Sequence, residues 1–201
     1  MTAPPTLILA STSPYRRELL SRLRLPFDVR APAVDETPRD GEAPDALALR
    51  LAWAKADAVA ATTAPEAVVI GSDQVASLDG QCLGKPGTHE RATEQLRAMR
   101  GRRVVFHTAV AVVCRARGFR AADIASVTVR FRRTSDAEIE HYLRVEQPYD
   151  CTGSAKVETL GIALVDGVDS DDPTALIGLP LIRTCALLRR AGVDVLGTTP
   201  P

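Results

Sequence analysis

The chain has 201 residues, of which 45% are hydrophobic and 25% charged, and its 25 Lys and Arg residues balance 25 Asp and Glu residues. This length suits one domain, and the zero net charge argues against nucleic acid or an anionic membrane surface as the main partner, because both select a basic excess. No apolar run reaches the ~20 residues of a membrane-spanning helix, no signal-peptide pattern opens the chain, and the four cysteines form no C-x-x-C pair, so we expect a cytoplasmic protein with free thiols.

Helix-type and strand-type segments alternate along the chain. In chain order, the sequence predicts a strand over 6–10, a helix from Pro14 to about 25–26, a helix over 45–61, a strand over 68–70, a hairpin of 75–78 and 81–83, a helix over 88–100, long strands over 104–113 and 126–132, a helix over 135–145, a strand over 161–165 and a helix over 180–191. Ser13 before Pro14 is a helix-capping pattern, and Ser135 with Glu138 is a capping box. The order indicates a mixed α/β protein with a parallel start and an antiparallel middle.

The first segment that carries chemistry lies at the turn from the first strand to the first helix. It reads Ser11-Thr12-Ser13-Pro14-Tyr15-Arg16-Arg17. Free backbone N–H groups at a helix start, hydroxyls and guanidinium groups together form a site for an anion such as phosphate. Ordinary helix caps and solvated arginines show the same local pattern, so both interpretations stay open at this point.

Two further turns supply carboxylates. One is Val34-Asp35-Glu36-Thr37-Pro38 and the other is Gly71-Ser72-Asp73-Gln74. Magnesium takes one or two protein carboxylates and completes its shell with water and phosphate, and ligands of open α/β sheets bind beyond the carboxyl ends of strands. The alternatives are a solvated acidic loop for the first turn and a plain turn for the second.

Lysine occurs at only three positions, Lys55, Lys85 and Lys156, and every other basic residue is Arg. Lys55 lies beside the apolar stripe of the second helix and Lys85 follows the hairpin, so each offers a compact positive charge or is a surface lysine. Lys156 lies in the polar segment 153–158, which is either a substrate-selecting loop or an ordinary loop. Neither a P-loop nor a G-x-G-x-x-G motif occurs, which excludes those two types of nucleotide site.

In series, these motifs resemble the Maf family of nucleoside triphosphate pyrophosphatases over nearly the whole chain, from Leu7 to Gly192. The family motif S-x-S-P-[RW]-R is matched at 11–16, with Tyr15 at the variable position, and the acidic turn and the helix lysine are matched by Asp35-Glu36 and Lys55. The remaining motifs follow in the expected order as Gly71-Ser72-Asp73-Gln74-Val75, Gly84-Lys85-Pro86 and Gly178-Leu179-Pro180-Leu181.

The resemblance implies an α/β fold with an elongated mixed central sheet, flanking helices and a cleft between two lobes. It implies one domain over 1–201, with a core over 5–192 and a C-terminal tail over 193–201. The partners that it implies are a small nucleotide substrate and a second copy of the chain in a homodimer, and we expect no nucleic-acid or membrane partner.

The resemblance also implies a role for each motif residue. The implied roles are Asp73 as the base that activates water, Glu36 and Asp73 as ligands of Mg²⁺ or Mn²⁺, Arg16, Lys55 and Lys85 as cations that neutralise the triphosphate, and Ser11 and Ser13 as hydrogen-bond partners of the phosphates. The reaction would release pyrophosphate from a nucleoside triphosphate by water attack at the α-phosphate.

Three positions separate the branches of the family: Tyr15, Gln74 and Glu158. Members that cleave dTTP and UTP carry Arg and Thr at the first two, whereas an aromatic residue with Gln resembles the branch acting on 7-methyl-GTP, in which Trp is the usual aromatic. A stacked aromatic ring attracts the positively charged 7-methylguanine, and we expect either Gln74 or Glu158 to read its Watson–Crick edge. The alternatives are a pyrophosphatase for unmodified UTP, dTTP or CTP and a non-catalytic nucleotide sensor linked to cell division.

Overall fold

The computed structural model describes residues 5–197, so the last part of the predicted tail, 198–201, lies outside the described residues. Within that range the helices are Pro14–Ser21 (α1), Pro44–Ala61 (α2), His89–Met99 (α3), Asp136–Glu146 (α4) and Leu181–Arg190 (α5). The strands in the same range are Leu7–Ala10 (β1), Phe27–Arg30 (β2), Val68–Leu78 (β3), Gln81–Leu83 (β4), Arg103–Cys114 (β5), Phe119–Phe131 (β6) and Val165–Asp169 (β7). None of these helices is both long and apolar enough to cross a membrane.

The strands form one sheet in the order β2-β1-β3-β5-β6-β7, and β4 pairs with the end of β3. β1 runs parallel to β2 and β3, whereas β3, β5, β6 and β7 pair with one another antiparallel. The mixed α/β architecture, parallel at the start and antiparallel in the middle, is therefore confirmed.

β3 is one long strand that continues through the polar segment. Ala10, the last residue of β1, lies opposite Gly71, but the pairing of β3 with β5 continues from Val69 to Ser77. The prediction that the segment beginning at Gly71 stops the strand is wrong, because polar side chains do not prevent backbone pairing. Asp73 nevertheless lies just beyond the carboxyl end of β1, where α/β sheets bind ligands.

Alternate side chains of β3 and β5 point to opposite faces of the sheet, and each face carries its own helices. α2 covers one face, and α1 and α5 cover one end of the other. α3 and α4 cover the opposite end of that second face. Between the two apolar clusters there, the strands carry Ser72 and the directly paired Gln74 and Thr108. This polar interval separates two groups of helices and is covered by the segment 175–178, whose carbonyl oxygens accept hydrogen bonds from Gln74 and Thr108.

Three further differences from the sequence prediction have local causes. The apolar run at 161–165 is mostly a 3₁₀ turn, Leu160–Leu164, and the strand starts only at Val165, because a short apolar run suits either structure. β2 was not predicted, because four residues are too short a run to indicate a strand even though apolar and polar residues alternate in it, and its side chains are mostly exposed. β6 begins at Phe119, not at 126, because its first half pairs with β5 without a strict apolar alternation.

Gly71 lets α2 approach β3 closely. A methyl group on Gly71 would lie 2.5 Å from the backbone nitrogen of Ala56 and closer still to the carbonyl oxygen of Ala52. We therefore expect Gly71→Ala to lower the free energy of unfolding in urea by about 3 kcal/mol, because two backbones would have to separate. Gly84→Ala is the matched control, since nothing lies within 4 Å of its added methyl group. Equal unfolding midpoints for the two variants would contradict this packing argument.

Candidate active site

The cleft has a volume of about 630 Å³ and lies over the middle of β3. It brings together residues from α1, α2, β3 and several loops that are distant in the sequence. All ten residues predicted for the site line it: Ser11, Ser13, Tyr15, Arg16, Glu36, Lys55, Asp73, Gln74, Lys85 and Glu158. The structure thus places the predicted residues around one space, while their chemical roles remain predictions.

Lys55 connects two carboxylates at the centre of the cleft. Its Nζ atom lies 2.6 Å from Oδ1 of Asp73 and 2.7 Å from Oε1 of Glu36. The side chains of Lys55 and Asp73 are only 6% and 10% exposed, whereas that of Glu36 is 60% exposed. The ammonium group of Lys55 therefore lies between the buried carboxylate of Asp73 and the exposed carboxylate of Glu36, and it orients both.

Arg16 is the second cation at Asp73. Its Nη2 atom lies 4.0 Å from Oδ1 of Asp73, and its Nε–H donates to the carbonyl oxygen of Gly178 at 2.9 Å. Burial lowers the pKa of the Arg16 guanidinium, while the charges of Asp73 and Glu36 act in the opposite direction. The hydroxyl of Ser72 donates to the carbonyl oxygen of Ala109 at 2.7 Å and lies 3.3 Å from the Gly178 carbonyl. This carbonyl gives the Gly178-Leu179-Pro180-Leu181 motif a structural role beside the site.

Glu36 is held in its charged form by its neighbours. Burial raises the pKa of Glu36, but the hydrogen bond and charge of Lys55, with the charges of Lys85 and Arg16, outweigh this effect and bring the pKa below its ordinary value. Lys85 is exposed in the loop after β4 and faces the cleft. The cleft therefore combines three cations with two carboxylates at one end.

Ser11 and Ser13 both act as local caps at the start of α1. Oγ of Ser11 accepts a hydrogen bond from the backbone N–H of Ser13 at 3.1 Å, and Oγ of Ser13 accepts from that of Arg16 at 3.4 Å. The predicted N-cap Ser13, with Pro14 at the first helical position, is confirmed. Each hydroxyl accepts in these bonds and so keeps its own hydrogen for donation to a ligand.

The other end of the cleft carries Tyr15 and Glu158. Burial and a hydrogen bond with Cys151 raise the pKa of Tyr15 to about 12, so its hydroxyl stays protonated. Partial burial raises the pKa of Glu158 above its ordinary value, and the carboxylate of Glu146 acts in the same direction. An aromatic ring and a nearby carboxylate are the groups that would contact a flat, positively charged ring.

Gln74 is largely committed to the protein. Its Nε2 atom donates toward the carbonyl oxygens of Ala175 and Leu176 at 3.0 and 2.9 Å, and lies 3.0 Å from Oγ1 of Thr108. The amide hydrogens are therefore engaged, and its carbonyl oxygen Oε1 is the group left for a ligand. An acceptor there suits the N–H donors on the Watson–Crick edge of guanine.

The structure adds residues that the motif analysis did not assign. Thr108 supports Gln74 from β5, and Asp150 and Lys156 surround Tyr15 from the loops after α4. No spacing in the sequence connects these residues to Tyr15, because Asp150 is 135 positions away. The only feature of the sequence that pointed to this group is Lys156 itself, because it is one of only three lysines in the chain.

The donor set is consistent with a divalent ion that arrives with a nucleotide. Glu36 and Asp73 each bind Lys55 through one oxygen, which leaves the second oxygen of each carboxylate as a donor. Between residues 5 and 197, no group of three or more His, Cys, Asp or Glu residues is arranged to hold a metal ion. Two carboxylates alone fit Mg²⁺ or Mn²⁺, because such ions take most remaining ligands from phosphate and water.

The cleft thus has cations and carboxylates at one end and the ring of Tyr15 at the other, on a mixed α/β fold. The sequence description of one family, Maf-like protein, matches residues 6–191. The chain belongs to this family.

Two relatives match nearly end to end, and both are named 7-methyl-GTP pyrophosphatase. The protein of Albidiferax ferrireducens is 66% identical over 191 residues, which are 95% of this chain and 96% of that one. The protein of Polaromonas sp. is 67% identical over 187 residues, 93% of this chain and 85% of that one. Among solved structures, a nucleoside-triphosphatase / dITP/XTP pyrophosphatase from Mycobacterium abscessus is similar with a TM-score of 0.42 and 17% identity, over 64% of this chain and 73% of that one.

Proposed function

We propose that the protein is a nucleoside triphosphate pyrophosphatase that converts 7-methyl-GTP to 7-methyl-GMP and pyrophosphate. The observation that carries the proposal is the contact of Lys55 with Asp73 and Glu36 at the centre of a cleft that has cations at one end and Tyr15 at the other. The names of the relatives, at 66% and 67% identity, support the same substrate.

Asp73 is the proposed base. The contacts with Lys55 and Arg16 both use Oδ1, so both lone pairs of Oδ2 are available: one would take a hydrogen from water and the other would contact the metal ion. The water attacks the α-phosphate in line with the leaving pyrophosphate, and the loss of its proton to Asp73 makes it a better nucleophile.

The cations of the cleft act on the phosphates. Lys55, Lys85 and Arg16 neutralise the charge that collects on the leaving pyrophosphate, and the hydroxyls of Ser11 and Ser13 donate hydrogen bonds to phosphate oxygens. The positions of Lys55 and Arg16 are fixed before substrate binds, since these two side chains are held by Asp73 and the Gly178 carbonyl. Fixed donors lower the barrier because they need little reorganisation during the reaction.

Glu36 and Asp73 are the proposed ligands of Mg²⁺ or Mn²⁺. Such an ion, when bound, supplies a positive charge that withdraws electrons from the phosphate oxygens. Glu36 has the exposed, charged carboxylate that can turn toward an arriving metal–nucleotide complex, and Lys55 holds it at the cleft.

The base end is proposed to select 7-methylguanine. Tyr15 stacks on the cationic ring, Oε1 of Gln74 accepts from the Watson–Crick edge, and Glu158 adds negative charge. We also propose a homodimer in the cytoplasm. The four cysteines are all free thiols, which suits a reducing compartment. Light scattering of the purified protein tests the oligomeric state.

The deciding experiment is pyrophosphate release by the purified protein with Mg²⁺, from 7-methyl-GTP, GTP, UTP, dTTP and CTP, with and without EDTA. We expect 7-methyl-GTP to have the highest kcat/KM and EDTA to abolish turnover. Activity on unmodified nucleotides alone would support the proposed release of pyrophosphate and contradict the proposed preference for 7-methylguanine. Tight binding without release from any nucleotide would contradict the enzyme and favour the nucleotide sensor.

Tyr15→Arg is expected to move the preference from 7-methyl-GTP toward UTP. A guanidinium at this position repels a cationic base, and the loss of a cation–π contact of ~0.5–2 kcal/mol corresponds to roughly 2- to 30-fold in relative kcat/KM. The ratio of the two kcat/KM values measures the effect. Tyr15→Trp is the matched control, because it retains an aromatic ring and should retain the preference. A Tyr15→Arg variant with the unaltered ratio would show that stacking does not select the base.

A further inference from the structure

Asp150 lies at the base end of the cleft, in the loop after α4. Its Oδ2 atom accepts a hydrogen bond from the hydroxyl of Tyr15 at 3.4 Å, and its Oδ1 atom lies 3.8 Å from Nζ of Lys156. The Asp150 side chain is 62% exposed and lines the cleft. One carboxylate thus contacts both the ring that receives the base and the cation beside that ring.

The charge around Tyr15 is negative in total. The positive charge beside the Tyr15 ring is that of Lys156, whose Nζ atom lies 5.8 Å from the ring centre. Three carboxylates oppose it, because Glu146 lies 3.9 Å from its Nζ atom and Asp150 and Glu158 line the cleft. The phosphate end, in contrast, has three cations and two carboxylates. The cleft therefore has opposite net charges at its two ends.

We infer that Asp150 is a specificity-determining residue, whose carboxylate favours a positively charged base over a neutral one. The inference rests on the proposed function, since it assumes that the base lies against Tyr15. A triphosphate with a methylated, cationic base has charges complementary to those of the cleft at both ends, whereas GTP has only the negative charge that matches the cationic end. Asp150 thus acts on the base directly through its charge, and its contact with the Tyr15 hydroxyl places that charge beside the ring.

The size of the effect follows from distance and exposure. A base stacked on Tyr15 lies within roughly 7 Å of the Asp150 carboxylate, because that carboxylate is bonded to the ring hydroxyl. For an exposed group in water-like surroundings, a unit charge at about that distance changes affinity roughly threefold. Salt weakens this attraction, since about 10 Å is the screening length at 0.1 M ionic strength.

The test uses the full-length protein with Asp150→Asn, which keeps the shape of the side chain and removes its charge. Dissociation constants for 7-methyl-GTP and GTP are measured in EDTA, so that turnover does not interfere. We expect the preference for 7-methyl-GTP over GTP to fall about threefold in the variant. Raising the salt concentration should lower the preference of the unaltered protein more than that of Asp150→Asn, in which only the other carboxylates of this end still attract the base, and loss of structure alone would not produce this difference.

Two further variants test whether a change in preference comes from the charge of Asp150 beside Tyr15. Asp123→Asn is the matched control, because Asp123 is a half-exposed carboxylate 3.7 Å from Arg183 and outside the cleft, and its preference should be unaltered. Tyr15→Phe keeps the ring but removes the bond to Asp150. An unchanged preference in Asp150→Asn would overturn the inference, and so would a loss that salt does not affect. Failure of the proposed function would appear separately, as an unaltered protein that binds these nucleotides but releases no pyrophosphate with Mg²⁺.

Discussion

Asp73→Asn is expected to lower the rate of pyrophosphate release from 7-methyl-GTP about 10³-fold at saturating Mg²⁺. The amide cannot take a proton from the attacking water, and it also weakens one of the two proposed metal contacts. Because Asn keeps the size of the side chain, nucleotide binding should persist while kcat falls. Steady-state kinetics together with a binding measurement separate these two quantities.

The matched control for this variant is Asp57→Asn. Asp57 lies on α2 two residues after Lys55, but its carboxylate is on the outer side of the helix, 2.9 Å from Arg120. Its loss should leave kcat within twofold of the unaltered value. If Asp73→Asn instead kept near-normal turnover, the proposed base would have to be another group.

Lys55→Met is expected to affect both stability and turnover. Removal of the ammonium leaves the buried Asp73 carboxylate without the partner that lies 2.6 Å away, and we expect the free energy of unfolding to fall by about 3 kcal/mol. Turnover should fall at least 100-fold, because a fixed positive charge beside the phosphates is lost. Urea unfolding and pyrophosphate release measure the two effects.

Magnesium provides an internal check on the Lys55→Met result. A divalent ion between Glu36 and Asp73 would replace the missing charge, so Mg²⁺ should raise the stability of the variant more than that of the unaltered protein. Stability should recover without turnover, since the lysine's action on the phosphates is not restored. A variant as stable as the unaltered protein, with or without Mg²⁺, would show that the ion pair contributes little to folding.

Local signals predicted much of this structure. Ser13 and Ser135 cap the starts of α1 and α4, and the capping box at Ser135 is present in full. Such signals depend on a few neighbouring residues, so a single sequence is sufficient to find them. The site motifs were predicted to act together, and they line one cleft, because each lies at an element end or on an element face that the fold brings to β3.

Features that depend on pairing between distant segments were not predictable in the same way. β2 and the first half of β6 are strands because they pair through backbone hydrogen bonds with β1 and β5, and neither the short alternation of β2 nor the irregular pattern of β6 reveals such a partner. The strand predicted at 161–165 was wrong for the same reason, since only the residues from Val165 onward have a partner in β6. Asp150 lacks any local signal, because its importance comes from contact with a ring 135 positions earlier.

The continuity of β3 has a consequence for how the protein moves. From Val69 to Ser77 the strand is held to β5, so the backbone beneath Asp73 is locked in place over the whole floor of the cleft. β3 stays paired with β5 throughout this stretch, although between Gly71 and Ala76 its other edge pairs with no strand among residues 5–197, and this continuous pairing on one side opposes a hinge there. Any change in the shape of the cleft therefore falls to its walls, the loops that bear Lys85 and Asp150, while the floor stays still. Amide hydrogens of this strand should be among the slowest in the protein to exchange with solvent, and those of the walls among the fastest.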